Sequence, residues 1–229
     1  MSDCMYTETT EGLHSALALA YYSRTRFIVN LLPLLQQASS LRRVVTVFVA
    51  GKEGPIDTSD LQGWKIPMRS ARGHAGSLVT VSLEAIAKTA PDVTFIHDFP
   101  GLVKTGLMRG TTGIAMSVMK AVFTIIAPFT AMSNRECGER QLFLATSARF
   151  PANTDGKTAS GVPLADGVTI ARGTIGESGS GVYSVDQHGE SSGPVVEELL
   201  AKMRKDGTVE QVWQHTTENF KRITGLEAV

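Results

Sequence analysis

The sequence predicts an α/β layered protein built on a parallel sheet, and three observations carry that prediction. Two short runs, RVVTVFVAG (43–51) and VTFIHDF (93–99), are continuously apolar and β-branched instead of alternating, as strands covered on both faces are. Each follows a longer segment with helical periodicity, and alternating helices and buried strands define a layered α/β domain. With 42% apolar and 19% charged residues over 229 positions, the chain can bury a core of this kind.

In chain order, residues 1–10 read as a tail. Thr9 or Thr10 can cap a helix over 11–37, whose Leu13, Leu17, Tyr21, Ile28, Leu31 and Leu35 recur at three-, four- and seven-residue steps. Pro33 kinks that helix or marks its last turns. The first strand, 43–51, runs into the loop KEGPIDTSDLQGWKIP, and a second helix starts at Gly73 and stops at Pro91. After the second strand comes the apolar run 113–132; Lys120 near its centre argues for a buried or lid-like helix over a membrane span. CGERQLFLATSA reads as a third helix, 151–181 as an irregular Gly/Ser/Thr-rich excursion, GVYSVDQHGE as a short strand and turn, and 193–224 as two amphipathic helices.

Composition excludes some partners. Lys and Arg total 22 and so do Asp and Glu, and a neutral chain without basic blocks is a poor nucleic-acid binder. The two cysteines, Cys4 and Cys137, have no metal-ligand spacing and build no disulfide framework, which fits a reducing cytoplasm, and no signal peptide is read at the N-terminus.

The order NLLPLL, VVTVFVAG, SLEAIAK and FIHDFPGLVKTG, with CGERQLFLATSARF and GVYSVD further on, resembles the C-terminal half of a short-chain dehydrogenase/reductase, most similar to fungal members encoded near biosynthetic genes. The resemblance covers the chain from about Glu11 onward and implies a single truncated domain, 1–229, with a partial Rossmann-like sheet of about three strands. A complete member places further strands and the glycine-rich phosphate turn ahead of that point; no GxGxxG occurs here, and GESGSG lies in the excursion. Position by position, the family's assisting asparagine falls near Ala20 and its serine at Val49 or Ala50. Its tyrosine falls near Arg69 and its lysine near Gly73 or His74; only Pro100, Gly101 and Thr105 of the cofactor-edge turn match. Ordinary nicotinamide-dependent hydride transfer is therefore not expected of these residues, and no cofactor or metal is assigned. The resemblance also implies a homodimer through the 11–37 and 73–90 helices. The strand edge left bare pairs across a two-fold axis, or is covered by the partner or by the excursion.

Parallel sheets open crevices at the carboxyl ends of their strands, so candidate residues are sought there. Lys52 and Glu53 follow the first strand, His74 opens the next helix, and His97 with Asp98 ends the second strand. Glu53, His74, His97 and Asp98 are the acid/base candidates; strand alternation lets at most one of His97 and Asp98 face a pocket. Tyr21, Lys52, Arg72, Phe99, Leu102 and Met108 are the substrate-binding candidates, and Arg69 with Arg72 could take an anion. Such a site suits a cofactor-independent isomerase, cyclase or dehydratase acting on a hydrophobic natural-product intermediate. An NADP-dependent reductase completed by another chain and a non-catalytic dimerising or ligand-binding partner are the alternatives.

Overall fold

The computed structural model describes residues 7–103, 117, 121, 122, 124, 131–154 and 161–226. A short helical turn, α1 (Ser15–Leu17), passes through a π-helical segment (Ala18–Tyr22) into α2 (Ser23–Gln37). Then follow β1 (Arg43–Val47), α3 (Met68–Ala87), β2 (Thr94–Asp98), α4 (Asn134–Thr146), β3 (Val182–Val185), α5 (Pro194–Lys205) and α6 (Thr208–Thr224). The sheet has three parallel strands in the order β1-β2-β3, with His97 in register with Thr46 on one side and Ser184 on the other. This is the α/β, partial Rossmann-like architecture that the continuous apolar runs predict.

The first helix differs from its expected form in two ways. Thr9 does accept a hydrogen bond from the Leu13 amide, but within a turn that precedes the helix, which begins at Ser15. The wider π turn then advances the helical phase by one residue. Leu13, Leu17 and Tyr21 are buried, and the buried face beyond the π turn becomes Thr25, Ile28, Val29 and Leu32. Leu31, expected on that face, is exposed together with Phe27 and Leu34. Pro33 lies inside α2, whose backbone continues to Gln37.

The second helix begins at Met68, not Gly73, because Pro67 supplies extended backbone immediately before it. Thirteen consecutive residues, His74 through Ile86, are buried, since α3 packs between the sheet, the π segment and α6. The face of the 73–90 helix expected to meet a second subunit is thus occupied within the chain, whereas α2 keeps its exposed apolar stripe. On the outer edge of β1, Arg24 Nη1 donates to the Val47 carbonyl at 2.8 Å, satisfying one edge acceptor.

Beneath these layers the core is one large cluster of α1–α3, α5 and α6 side chains on one face of the sheet. A smaller one of Ile96, Leu144, Phe150, Tyr183 and Val185 lies on the other. Tyr21 belongs to the large cluster: its hydroxyl pairs with Ser82 and Thr216 Oγ atoms at 2.5 Å each, and burial pushes the phenol up to about 12. Tyr21 is a satisfied core residue, a correction to its assignment as a substrate contact. Among the described residues no helix is long and apolar enough to cross a membrane and no cluster of metal ligands occurs; most of the 113–132 run lies outside them.

Candidate functional site

At the carboxyl end of the sheet the chain leaves β1 with a last bond from the Phe48 amide to the Asp98 carbonyl, then turns at Gly51, which adopts φ +70°. The loop lies directly on α3. The Gly54 amide donates to the Gly73 carbonyl at 3.0 Å, Ser77 Oγ donates to the Gly54 carbonyl at 2.6 Å, and a Cβ on Gly73 would come 3.0 Å from Gly54 Cα. Gly73, one of the two positions near which the family's lysine falls, is therefore a backbone-to-backbone contact with no room for a long side chain.

This loop carries the Glu53 side chain inward, fully buried. Its Oε1 accepts from Thr80 Oγ1 at 2.8 Å and from Ser184 Oγ at 2.6 Å, and lies 3.6 Å from His97 Nδ1. The Gly51 amide in turn holds Ser184 Oγ at 3.0 Å. The Val49 amide donates to His97 Nε2 at 3.1 Å, so Nε2 is an acceptor and the proton sits on Nδ1, 2.8 Å from Thr80 Oγ1. Burial, over the opposing pull of Glu53, holds His97 below its ordinary value, and the imidazole is neutral. Burial also opposes ionisation of Glu53, but the hydrogen bonds from His97 and Ser184 outweigh it and keep the carboxyl below the usual range. Glu53 and His97 thus converge, as strand-end candidates should, but they fill the crevice on the α3 side with a buried network instead of lining it, and Glu53 Oε2 is left in it without a partner. Their assignment as catalytic groups is corrected: both ring nitrogens of His97 are committed to the protein itself.

Two openings flank this plug. The first, about 310 Å³, is strongly apolar, with Leu17, Ala20, Phe48, Val49, Ile66 and Ala75 in its walls. Ala20, Val49 and His74 are three of the positions onto which the family resemblance projects its catalytic residues, and here they line one cavity. Among the described residues no tyrosine and no lysine lines it. His74 lies in the second turn of α3, and its Nε2 is 3.1 Å from the Leu61 carbonyl. A carbonyl only accepts, so Nε2 carries the proton and Nδ1 carries the lone pair; Nδ1 is buried with no partner. Burial lowers the His74 pKa, with the Leu61 bond and the charges of Asp60 and Asp57 working against it. Asp60 builds the loop that presents Leu61, accepting from the Trp64 and Lys65 amides, and Trp64 packs 4.9 Å from the His14 ring.

The second opening, about 260 Å³, lies on the α4 side of the sheet, where Asp98 accepts from Gln141 Nε2 at 2.6 Å. His97 and Asp98 therefore serve opposite faces. Arg72 lines the apolar cavity and stacks 4.8 Å from the ring of Phe99, which lines the second opening, so this pair forms the rim between the two. Lys52 is an exposed loop residue, and Leu102 is exposed and lines neither opening; both depart from their assignment as substrate contacts. Met108 and Thr105 lie outside the described residues. Sequence reasoning missed Thr80, Ser184 and Gln141. Ser184 is set beside His97 by the β2–β3 register, for which a single sequence holds no signal.

A partial Rossmann-like α/β protein with an apolar cavity at the carboxyl end of its first strand is thus the class that fold and site define. No family model matches the chain. Its homologues are fungal oxidoreductases. It is 39% identical over 212 residues to an oxidoreductase of Emericella nidulans, covering 91% of this chain and 62% of that protein. It is 35% identical over 219 residues to an NmrA-like family domain-containing oxidoreductase of an Aspergillus species, covering 93% and 59%. It is 30% identical over 229 residues to a short-chain dehydrogenase/reductase of Stachybotrys chartarum, covering 96% and 62%. The chain spans about three-fifths of the length of the curated relatives it matches.

Proposed function

We propose that the chain acts in fungal secondary metabolism on a hydrophobic natural-product intermediate, and that its own residues perform acid–base chemistry of the isomerase, cyclase or dehydratase kind. The observation that carries this reading is His74 Nδ1, an unpartnered lone pair buried beside an apolar cavity. In an isomerisation, Nδ1 takes a proton from the bound substrate and returns it to another atom of the same molecule, so no electrons leave and no oxidant or reductant is needed. The Leu61 carbonyl fixes the tautomer, Asp57 and Asp60 stabilise the imidazolium formed in between, and the apolar walls hold the substrate. A cytoplasmic setting is part of this proposal, and the free thiol of Cys137 suits its reducing conditions.

The test uses the intermediate that accumulates when the gene is deleted. Purified protein should convert it without nicotinamide, and His74→Ala should reduce kcat by about a hundredfold or more while its melting temperature stays near that of the parent. Unchanged turnover in His74→Ala removes the assignment.

The likeness to an oxidoreductase and a short-chain dehydrogenase/reductase favours a second reading, an NADP-dependent reductase completed by another chain. Among the described residues the cavity offers no phenol and no ammonium group to assist hydride transfer, so these residues do not fit that step. Calorimetric binding of NADPH at micromolar affinity would favour this reading over ours. The exposed Phe27, Leu31 and Leu34 stripe supports the further proposal of a homodimer through the 11–37 helix, with a non-catalytic partner role as its limiting case. A monomer by light scattering at micromolar concentration counts against both.

A further inference from the structure

The opening on the α4 side has a composition that the proposed chemistry does not use. Asp98 ends the central strand at its base and is more than nine-tenths buried. Gln141 donates to its Oδ2, and among the described residues no hydrogen bond to Oδ1 occurs. The cations nearby are already engaged: Arg140 pairs with Glu136 and the Gln187 carbonyl, and Arg149 pairs with Glu190. Of the remaining acids, Glu139 pairs with Arg135, while Asp186 spends its Oδ1 on the His188 and Glu190 amides and bears on Asp98 as a like charge. The carboxylate at the base is thus left with Gln141 as its donor and no paired cation among the described residues, beneath walls that include Phe99, Phe143, Leu144 and Met132.

We propose that this opening is a binding site for a small arylalkyl amine, the ammonium group donating to Asp98 Oδ1 and the ring lying among Phe99, Phe143 and Leu144. Three observations agree on that class. A carboxylate oxygen at the base of an opening with apolar walls, to which no described protein group donates, is matched by a ligand that donates, and a cation does so most strongly. Aromatic faces attract a cation and accept an aryl body. A volume of about 260 Å³ admits a molecule of this size and excludes a large polycyclic one. The position is also the one left open in a parallel sheet, because Glu53 closes the other half of the strand-end crevice. The site stands apart from His74, so its fate is independent of the catalytic proposal.

The probes are 2-phenylethylamine and its near-isosteric acid, phenylacetate, titrated into the full chain and followed by ligand-observed NMR. The amine should bind and the acid should not. Amine binding should weaken as pH falls through about 6, where Asp98 takes up a proton. Asp98→Asn should weaken the amine at least roughly tenfold. Cys137→Phe fills the opening and keeps the carboxylate, and it should abolish binding too. His74→Ala should leave amine binding intact. Equal or tighter binding of phenylacetate, no binding of the amine, or amine affinity unchanged in both Asp98→Asn and Cys137→Phe would overturn the proposal.

Discussion

Replacing Glu53 by alanine is expected to lower the free energy of unfolding by about 3–5 kcal/mol, the range for removing one member of a buried charged network. The carboxylate is the common acceptor for Thr80 and Ser184 and the neighbour of His97 Nδ1, and all of these groups are themselves buried. Without it, the buried hydroxyls of Thr80 and Ser184 lose their shared acceptor, and a cavity opens where the side chain lay. Glu53→Gln keeps the volume and one acceptor but turns an amide donor toward other donors, so its loss should fall in between. Urea titration reads the effect as a lower midpoint at unchanged slope. Because the folded state holds the Glu53 carboxyl below its ordinary value of 4.5, its contribution is full above that pH and disappears as pH falls through the folded pKa. The gap between Glu53→Ala and the parent should accordingly narrow in acid. A loss under about 1 kcal/mol at pH 7 would mean that the network does not hold the three strand ends together.

Glu53 also shows where sequence reasoning succeeds and where it stops. Continuous β-branched runs announce strands buried on two faces, and both strands and their following turns appear where those runs end, although β1 stops at Val47. The strand-end rule brings Glu53, His97 and Asp98 into one neighbourhood, because parallel strands must end together. Whether that neighbourhood is a cavity or a plug depends on the path of a loop, and here Gly54, Gly73 and Gly76 let the loop sink onto α3. Glycine in a helix reads in sequence as a weak propensity, not as a docking surface. The start of α3 was likewise hidden: Pro67 marks it, yet the polar MRSARG segment lacks the apolar period that would extend the helix back to Met68. His74 consequently sits in the second turn, deep enough to be buried, and not at an exposed end.

The second large effect is one of gain, and it runs opposite in pH. Burial, against the hydrogen bond from Gln141 and the charge of Arg140, raises the Asp98 carboxyl from 3.8 to about 6. A group whose folded pKa is raised favours the folded state fully below its unfolded pKa, and that contribution is lost as pH rises through the folded value. At pH 8 the protein therefore holds a buried, ionised carboxylate at a cost. Asp98→Asn removes the ionisation and keeps an oxygen to accept from Gln141 Nε2, so it should be more stable than the parent by about 1–2 kcal/mol at pH 8. The advantage should shrink as pH falls through about 6 and vanish near pH 4. Melting curves of the two proteins across that range separate this from simple repacking, which would give an offset independent of pH. If the carboxylate serves the proposed amine site, the same variant should lose the affinity for arylalkyl amines. Stability gained together with binding lost is the joint outcome that ties Asp98 to a site; stability gained with amine binding intact would leave Asp98 as an unsatisfied core acid and nothing more.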